Sequence, residues 1–372
     1  MTNDDIIKAL SNVQEPDLGK DLVTLNMVKD IVINGKDVSF TVVLTTPACP
    51  MKDLIKNACI NAVHILVDKE AIVTVNFTSK TTTIRKDKNV LAGVKNIIAV
   101  VSGKGGVGKS TIAANLALAM AQSGARVGLM DADIYGPSVH IMFGVRGERP
   151  MMKEGEGGKG LIIPLEQHGI KLMSIGLLVD EKQAVVWRGP MVSSAIRQFV
   201  TDVDWGELDY LVIDMPPGTG DIHLTVVQTV PVTGVIVVTT PQLVALADAK
   251  KGIAMFNQAG LKVPVIGLVE NMSYFIPPGS GTELPQNKYY IFGKEGGKRL
   301  ADEYDIPFLG EIPIIQSIRE GGDIGVPVMA GDDEAAKQAF LDFAANATRG
   351  ISMRNAELPA TEVSEVLEVS GS

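Results

Sequence analysis

Hydrophobic and polar positions follow one pattern over the first eighty residues of the chain and another beyond them. Near the N-terminus, Asp5 to Leu10 has the spacing of a short amphipathic helix. Met27 to Ile33 and Val38 to Thr45 are strand-like and are joined by Asn34-Gly35, a strong hairpin signal. From Met51 the apolar residues recur at Leu54, Ile55, Ala58, Cys59, Ala62, Val63 and Leu66, which is one face of a helix, and Ala71 to Phe77 predicts a third strand. Residues 1–80 therefore read as a small α/β domain. Residues 81–95, with Thr81-Thr82-Thr83 and a Lys/Arg/Asp cluster, hold no sustained period and read as a linker.

Beyond the linker, strand-like and helix-like runs alternate. Ile97 to Val101, Val127 to Asp131, Tyr210 to Asp214, Gly234 to Thr239 and Val265 to Val269 are rich in Val, Ile and Leu, and several are nearly continuous in them. Such runs suit strands covered on both faces of a parallel sheet. Leu246, Ala249, Ile253 and Phe256 mark a crossover helix, with Gly260 placed to end it. The Gly-rich stretch Gly144 to Gly160 reads as a mobile loop. Ala336, Phe340 and Phe343 mark the last helix of a domain spanning 96–349, and residues 350–372 read as a disordered tail. The expected fold is α/β: a small N-terminal domain, then a larger one with a mainly parallel sheet flanked by helices.

Composition narrows the class. The 372 residues are 46% hydrophobic and 21% charged, which is globular, and two cysteines exclude a disulfide scaffold. A net charge of -9 argues against nucleic acid as a partner. The chain opens with no basic-then-apolar leader and holds no run approaching a membrane span, so the expectation is a cytoplasmic protein that binds no membrane.

The chemistry concentrates after the first long apolar run. Gly103-Lys104-Gly105-Gly106-Val107-Gly108-Lys109-Ser110-Thr111 satisfies the G-x-x-x-x-G-K-[ST] spacing. Glycines let backbone N–H groups turn inward around a phosphate, and the helix that follows presents its positive end to the same anion. Lys109 is placed to reach the β- and γ-phosphates and Ser110 to help hold Mg²⁺, which makes ATP and Mg²⁺ the expected ligands. Asp214 ends an apolar run and is placed to hold the Mg²⁺ shell. The Gly-rich stretch through Asp221 then suits a loop that senses the γ-phosphate. Asp131 and Asp133 end another run, and one of them is expected to orient the attacking water.

Lys104 sharpens this picture. Gly-Lys-Gly-Gly-Val-Gly-Lys-Ser resembles the deviant P-loop of MinD, the arsenite-pump ATPase and the nitrogenase iron protein, in which the early lysine reaches a partner's nucleotide. Within that group the chain most resembles the Mrp/ApbC family of iron–sulfur cluster carrier ATPases. The matching segments are Asp131 to Ser138, Trp187-Arg188-Gly189-Pro190, Asp214 to Asp221, Thr239-Thr240-Pro241-Gln242 and Glu270-Asn271-Met272-Ser273. The N-terminal unit, through Thr45-Thr46-Pro47-Ala48-Cys49-Pro50, resembles the small domain of iron–sulfur assembly factors. The resemblance implies a homodimeric, slowly turning ATPase that carries clusters among assembly proteins and recipient apoproteins. In it Lys104 and Lys109 act on the phosphates, Asp133 orients water and Asn271 contacts adenine.

One departure bears on the cargo. Members of that family commonly carry a Cys-x-x-Cys pair shortly after the Asn-Met segment, whereas Asn271 to Gly281 contains no cysteine. Cys59 falls on the apolar face of its helix and reads as a small buried hydrophobe. Cys49 is expected at the helix N-terminus with Pro50 in the first turn, where a thiolate is favoured, and is the remaining candidate ligand for an iron–sulfur cluster. A cluster-free ATP-driven scaffold, or a positioning ATPase of the MinD/ParA kind, stays open beside the carrier reading. Among the histidines, His64 falls opposite its helix's apolar stripe and is expected in solvent. His140, His168 and His223 have no metal-ligand spacing, and His223 lies near the sensing loop.

Overall fold

The computed structural model describes residues 1–85, 90–155, 158, 160–179, 187–258, 261, 263–277 and 288–361. The chain divides into two compact units, the first comprising Met1–Thr82 and Ser352–Leu358 and the second the remainder. Gly260, Gly279, Ser280 and Gly281 lie outside the described residues. The helix Leu243–Phe256 is capped by Asn257, ahead of Gly260.

In the first unit, the strands Val28–Asn34 and Asp37–Leu44 form an antiparallel hairpin, and Ile72–Ser79 lies parallel to the second of them. Its turn is Gly35-Lys36, one residue later than Asn34-Gly35, and Gly35 takes the left-handed backbone the tight turn requires at φ +63°. The helices Asn3–Leu10 and Lys52–Leu66 contribute Ile6, Leu10, Ile55, Cys59 and Val63 to the core around Phe40. Leu54 and Leu66, placed on the same apolar face by spacing, are 52% and 56% exposed, so the true stripe is narrower.

The second unit is built on an eight-stranded sheet in the order Leu165–Gln167, Ile170–Ser174, Val127–Asp131, Leu208–Asp214, Val94–Ser102, Gly234–Thr239, Val265–Phe275, Phe308–Ile314. All neighbours are parallel except the Leu165–Gln167 edge. The first strand begins at Val94 and so takes in residues read as linker. Two apolar layers fill the two faces, one around Ile98, Leu116, Leu129 and Phe340, the other around Ile97, Ile213, Ile196 and Ile253. Because both faces are covered, these strands run as near-continuous Val/Ile/Leu. Register brings Asp131, Asp214 and Val100 side by side, and Thr239 beside Glu270, so the carboxyl ends of the strands form one rim.

Two expectations are corrected here. The stretch read as a mobile loop holds an antiparallel ribbon, Met152–Glu154 with Gly160–Ile162. The last helix runs Glu334–Glu357, through the first part of the segment read as a disordered tail. Ile351, Ser352, Arg354 and Asn355 are buried there, and Asn355 Nδ2 donates to the Thr82 carbonyl at 3.1 Å within the first unit. Polar residues satisfied by tertiary partners hid the helical period in this stretch. Residues 362–372 lie outside the described residues. Ile351 is 1% exposed in the sheet-covering core, so Ile351→Ala should cost about 2–5 kcal/mol in chemical denaturation, whereas a disordered position would cost nothing.

Candidate functional site

The rim described above carries the Gly-rich loop between the strand Val94–Ser102 and the helix Lys109–Gln122. Gly103 passes so close to the Asp248 backbone that a Cβ would meet its carbonyl carbon at 2.2 Å. Gly108, at φ +82°, caps the helix in a conformation that side chains rarely adopt, and a Cβ there would meet Asn271 Nδ2 at 2.2 Å. The helix opens with its first amides unpaired within the helix, directed at the loop's concavity. Asn271 Nδ2 donates to the Val107 carbonyl at 2.8 Å and so fixes the loop from the side.

Lys109 is 6% exposed and donates to Asp214 Oδ1 at 2.6 Å, with Asp133 Oδ2 at 3.7 Å and Ser110 Oγ at 3.3 Å. Asp214 is fully buried, and its Oδ2 has no hydrogen-bond partner. A buried carboxylate oxygen left open beside a lysine and a serine hydroxyl fits a divalent cation or its bound water. Ser110 and Asp214 are therefore the residues that would hold Mg²⁺. Among the described residues no cluster of three or more His, Cys, Asp or Glu forms any other metal cage.

The geometry separates the two aspartates that the sequence left as alternatives. Asp131 accepts from the amides of Asp133, Ser138 and Val139 and from the Ser174 hydroxyl at 2.9 Å, so its oxygens are committed to holding the loop after its strand. Burial, with Asp214 beside it, pushes its carboxyl up to about 7. Asp133 stands further out. Its Oδ1 accepts from Gly136 and its Oδ2 faces Lys109, and burial raises its carboxyl above the usual range. That combination suits a group that handles a water molecule's proton.

An open cavity of about 730 Å³ adjoins the loop, lined by Gly108, Thr111, Asn271, Met272, Phe292 and Ile315 among others. Asn271 thus borders a mostly apolar slot of the kind that takes a flat ring, while its own amide is engaged by the loop backbone. Met272, Phe292 and Ile315 had no sequence signal, because they are ordinary apolar residues brought together from three segments. Lys104 is half-buried, and among the described residues no carboxylate lies within ion-pairing distance of it.

The cysteines and His64 fall differently from expectation. The helix begins at Lys52 with Met51 as its N-cap, so Cys49 and Pro50 precede it, and the dipole effect expected on the Cys49 thiol is weakened accordingly. Cys49 is half-buried against the core of the first unit. Cys59 is the buried hydrophobe anticipated, its thiol pushed up to about 12 by burial. His64 is part-buried and its Nε2 donates to the Ala71 carbonyl at 2.9 Å, the turn before the third strand supplying an acceptor that spacing could not reveal.

Comparison with known proteins gives three likenesses. Residues 93–348 match the family described as NUBPL iron-transfer P-loop NTPase, and residues 3–77 match iron–sulfur cluster assembly protein. An iron–sulfur cluster carrier protein of Synechocystis is 48% identical over 352 residues, covering 94% of this chain and 98% of that one. One from Deinococcus radiodurans is 44% identical, covering 96% and 98%. Among solved structures, a nucleotide-binding protein from Archaeoglobus fulgidus in complex with ADP is 40% identical, with a TM-score of 0.54, and covers 63% of this chain and 88% of that one.

The Lys109–Asp214 pair makes a stability prediction. Removing the ammonium leaves a buried carboxylate uncompensated, so Lys109→Ala should cost about 3–5 kcal/mol in urea unfolding of ligand-free protein. Lys109→Ala combined with Asp214→Asn should recover most of that loss. Equal stability of the single and double variants would contradict the pairing.

Proposed function

The chain belongs to the iron-transfer P-loop NTPase family, and on that premise we propose that it is an ATP-hydrolysing carrier that binds iron–sulfur clusters and passes them to recipient apoproteins in the cytoplasm. The observation that carries the nucleotide half of this reading is Lys109. It is a buried ammonium held by Asp214 at the mouth of a glycine cradle, beside a slot large enough for a base.

In this reading the phosphates enter the cradle of Gly105 to Thr111, where backbone amides and the helix N-terminus meet their charge. Lys109 turns from Asp214 to the β- and γ-phosphate oxygens, trading one anionic partner for another, and so Asp214 is released with Ser110 to hold Mg²⁺. The metal, when bound, neutralises charge developing on the transferring phosphoryl group. Asp133 orients the attacking water. The loop Asp214 to Asp221 is tied to the sheet by Met215 N–H on the Val100 carbonyl and Gly218 N–H on the Ser102 carbonyl, so loss of the γ-phosphate is felt along its length.

The same reading makes the protein a homodimer joined across this face. Lys104 has no anionic partner among the described residues, and Leu243 and Val244, at the start of the helix that packs on Gly103, are 81% and 66% exposed. A second copy would cover those side chains and give Lys104 a phosphate to reach. Slow turnover follows, because hydrolysis then serves to change the dimer's shape.

A second reading rests on the missing Cys-x-x-Cys: an ATP-driven scaffold for assembly partners that holds no cluster. Two thiols per chain, Cys49 and the buried Cys59, leave Cys49 as the one ligand a cluster could reach. A shared site would need thiolates from both copies and further ligands.

Two outcomes are expected. Lys109→Ala should lower ATP turnover at least about 10²-fold, as removal of a charge from the transferring phosphoryl group does, and Lys104→Ala should weaken hydrolysis and ATP-dependent dimerisation together. Sedimentation velocity with and without nucleotide reads the second effect, and full turnover by a monomer would contradict it. Anaerobic reconstitution with iron and sulfide should give wild type, but not Cys49→Ala, visible cluster absorbance. Wild type that stays colourless would leave the scaffold reading standing.

A further inference from the structure

His223 lies on the helix Asp221–Thr229, immediately after the sensing loop, and none of the chemistry above uses it. The residue is 1% exposed. Its Nδ1 donates to the Gly220 carbonyl at 3.3 Å, which fixes the neutral tautomer, and its Nε2 is buried without a hydrogen-bond partner. A buried ring nitrogen with an open lone pair has a cost that a proton would remove, provided the charge could be compensated.

The surroundings decide when that happens. The ring is packed edge-on against Phe256 at 6.3 Å, and the hydroxyls of Ser193 and Thr225 join its helix to Gly189–Thr201. The Gly220 and Pro216 carbonyls, both belonging to the loop, favour a protonated ring. Burial opposes it most, and the Lys109 ammonium, with Asp214 and Asp133 around it, opposes it further. Lys109 is the charged group whose field falls on the ring among the described residues. It is also the group that receives the γ-phosphate.

We propose that His223 is a positioning residue that clasps the loop Asp214 to Asp221, taking a proton from solvent when the γ-phosphate of ATP reaches Lys109 and giving it back when that phosphate leaves. The inference rests on the reading of this loop as an ATP site. Without nucleotide the unopposed ammonium keeps the ring neutral, with its titration below the ordinary histidine range. Phosphate charge beside Lys109 cancels that repulsion, the neutral imidazole becomes imidazolium, and its added N–H strengthens its hold on the loop's carbonyls. Only the triphosphate places charge there, so the clasp separates ATP from ADP. By reciprocity, acidification toward pH 6 should tighten binding of a triphosphate more than that of ADP.

Isothermal titration of wild-type protein and His223→Gln with Mg²⁺ and adenylyl-imidodiphosphate, in MES and in bis-Tris near pH 6, tests this. Wild type should take up more protons on binding than the variant, seen as a larger dependence of heat on the buffer's ionisation enthalpy. Proton exchange by the nucleotide's own phosphate is common to both and cancels. Equal proton uptake in the two proteins would overturn the inference, as would uptake that ADP reproduces. Absence of any binding heat would instead overturn the ATP site itself. Should His223→Gln fail to fold, the imidazole C2–H titration of wild type gives the same answer. One ring must titrate higher with the triphosphate than with ADP, and four unmoved histidines would sink the proposal.

Discussion

A buried lysine held by a buried aspartate is the constraint around which the second unit is arranged. Neither charge is tolerable alone at that depth, since an uncompensated ion in a protein interior costs several kcal/mol. The Lys109–Asp214 pair therefore needs the strand Leu208–Asp214 and the helix Lys109–Gln122 in fixed register, and the parallel sheet supplies it by aligning Asp214 with Val100 and Asp131. The pair is also provisional. Asp214 keeps one oxygen open, and a polyanion entering the cradle offers Lys109 a better partner. A site that is electrically closed when empty and reopens only for phosphate discriminates by charge before any base is read.

The neighbouring carboxylates show how position divides labour among like residues. Asp131 and Asp133 are two apart on the chain, yet one is saturated by backbone amides and a serine while the other faces the ammonium. Holding Asp131 so firmly is what lets Asp133 be placed: the loop it organises carries Asp133 into range of Lys109. Asn271 plays the corresponding part on the opposite side, gripping the Val107 carbonyl so that the cradle does not need to be ordered by its ligand.

Most of the second unit was legible because a parallel sheet writes itself as Val/Ile/Leu runs, and a phosphate loop must place glycines and a lysine at fixed intervals. What escaped notice follows the same logic in reverse. The edge strand Phe308–Ile314 contains Gly310 and Pro313, which an edge tolerates and a sequence pattern does not credit. Leu165–Gln167 and Ile170–Ser174 are too short to show a period. In the site, Lys109, Ser110 and Asp214 were found because their chemistry is tied to a motif. The apolar slot beside Asn271 and the division of labour between Asp131 and Asp133 were not, because both depend on contacts between distant segments.

The last helix has a consequence for how the molecule is made. Its residues Ser352–Leu358 belong to the first unit, whose other residues are Met1–Thr82. A ribosome releases those N-terminal residues early and this closing segment only after the entire nucleotide-binding unit has emerged. The first unit thus waits, unfinished, through the synthesis of its neighbour. Within a single chain, the part resembling a cluster-assembly domain is completed only when the ATPase already exists.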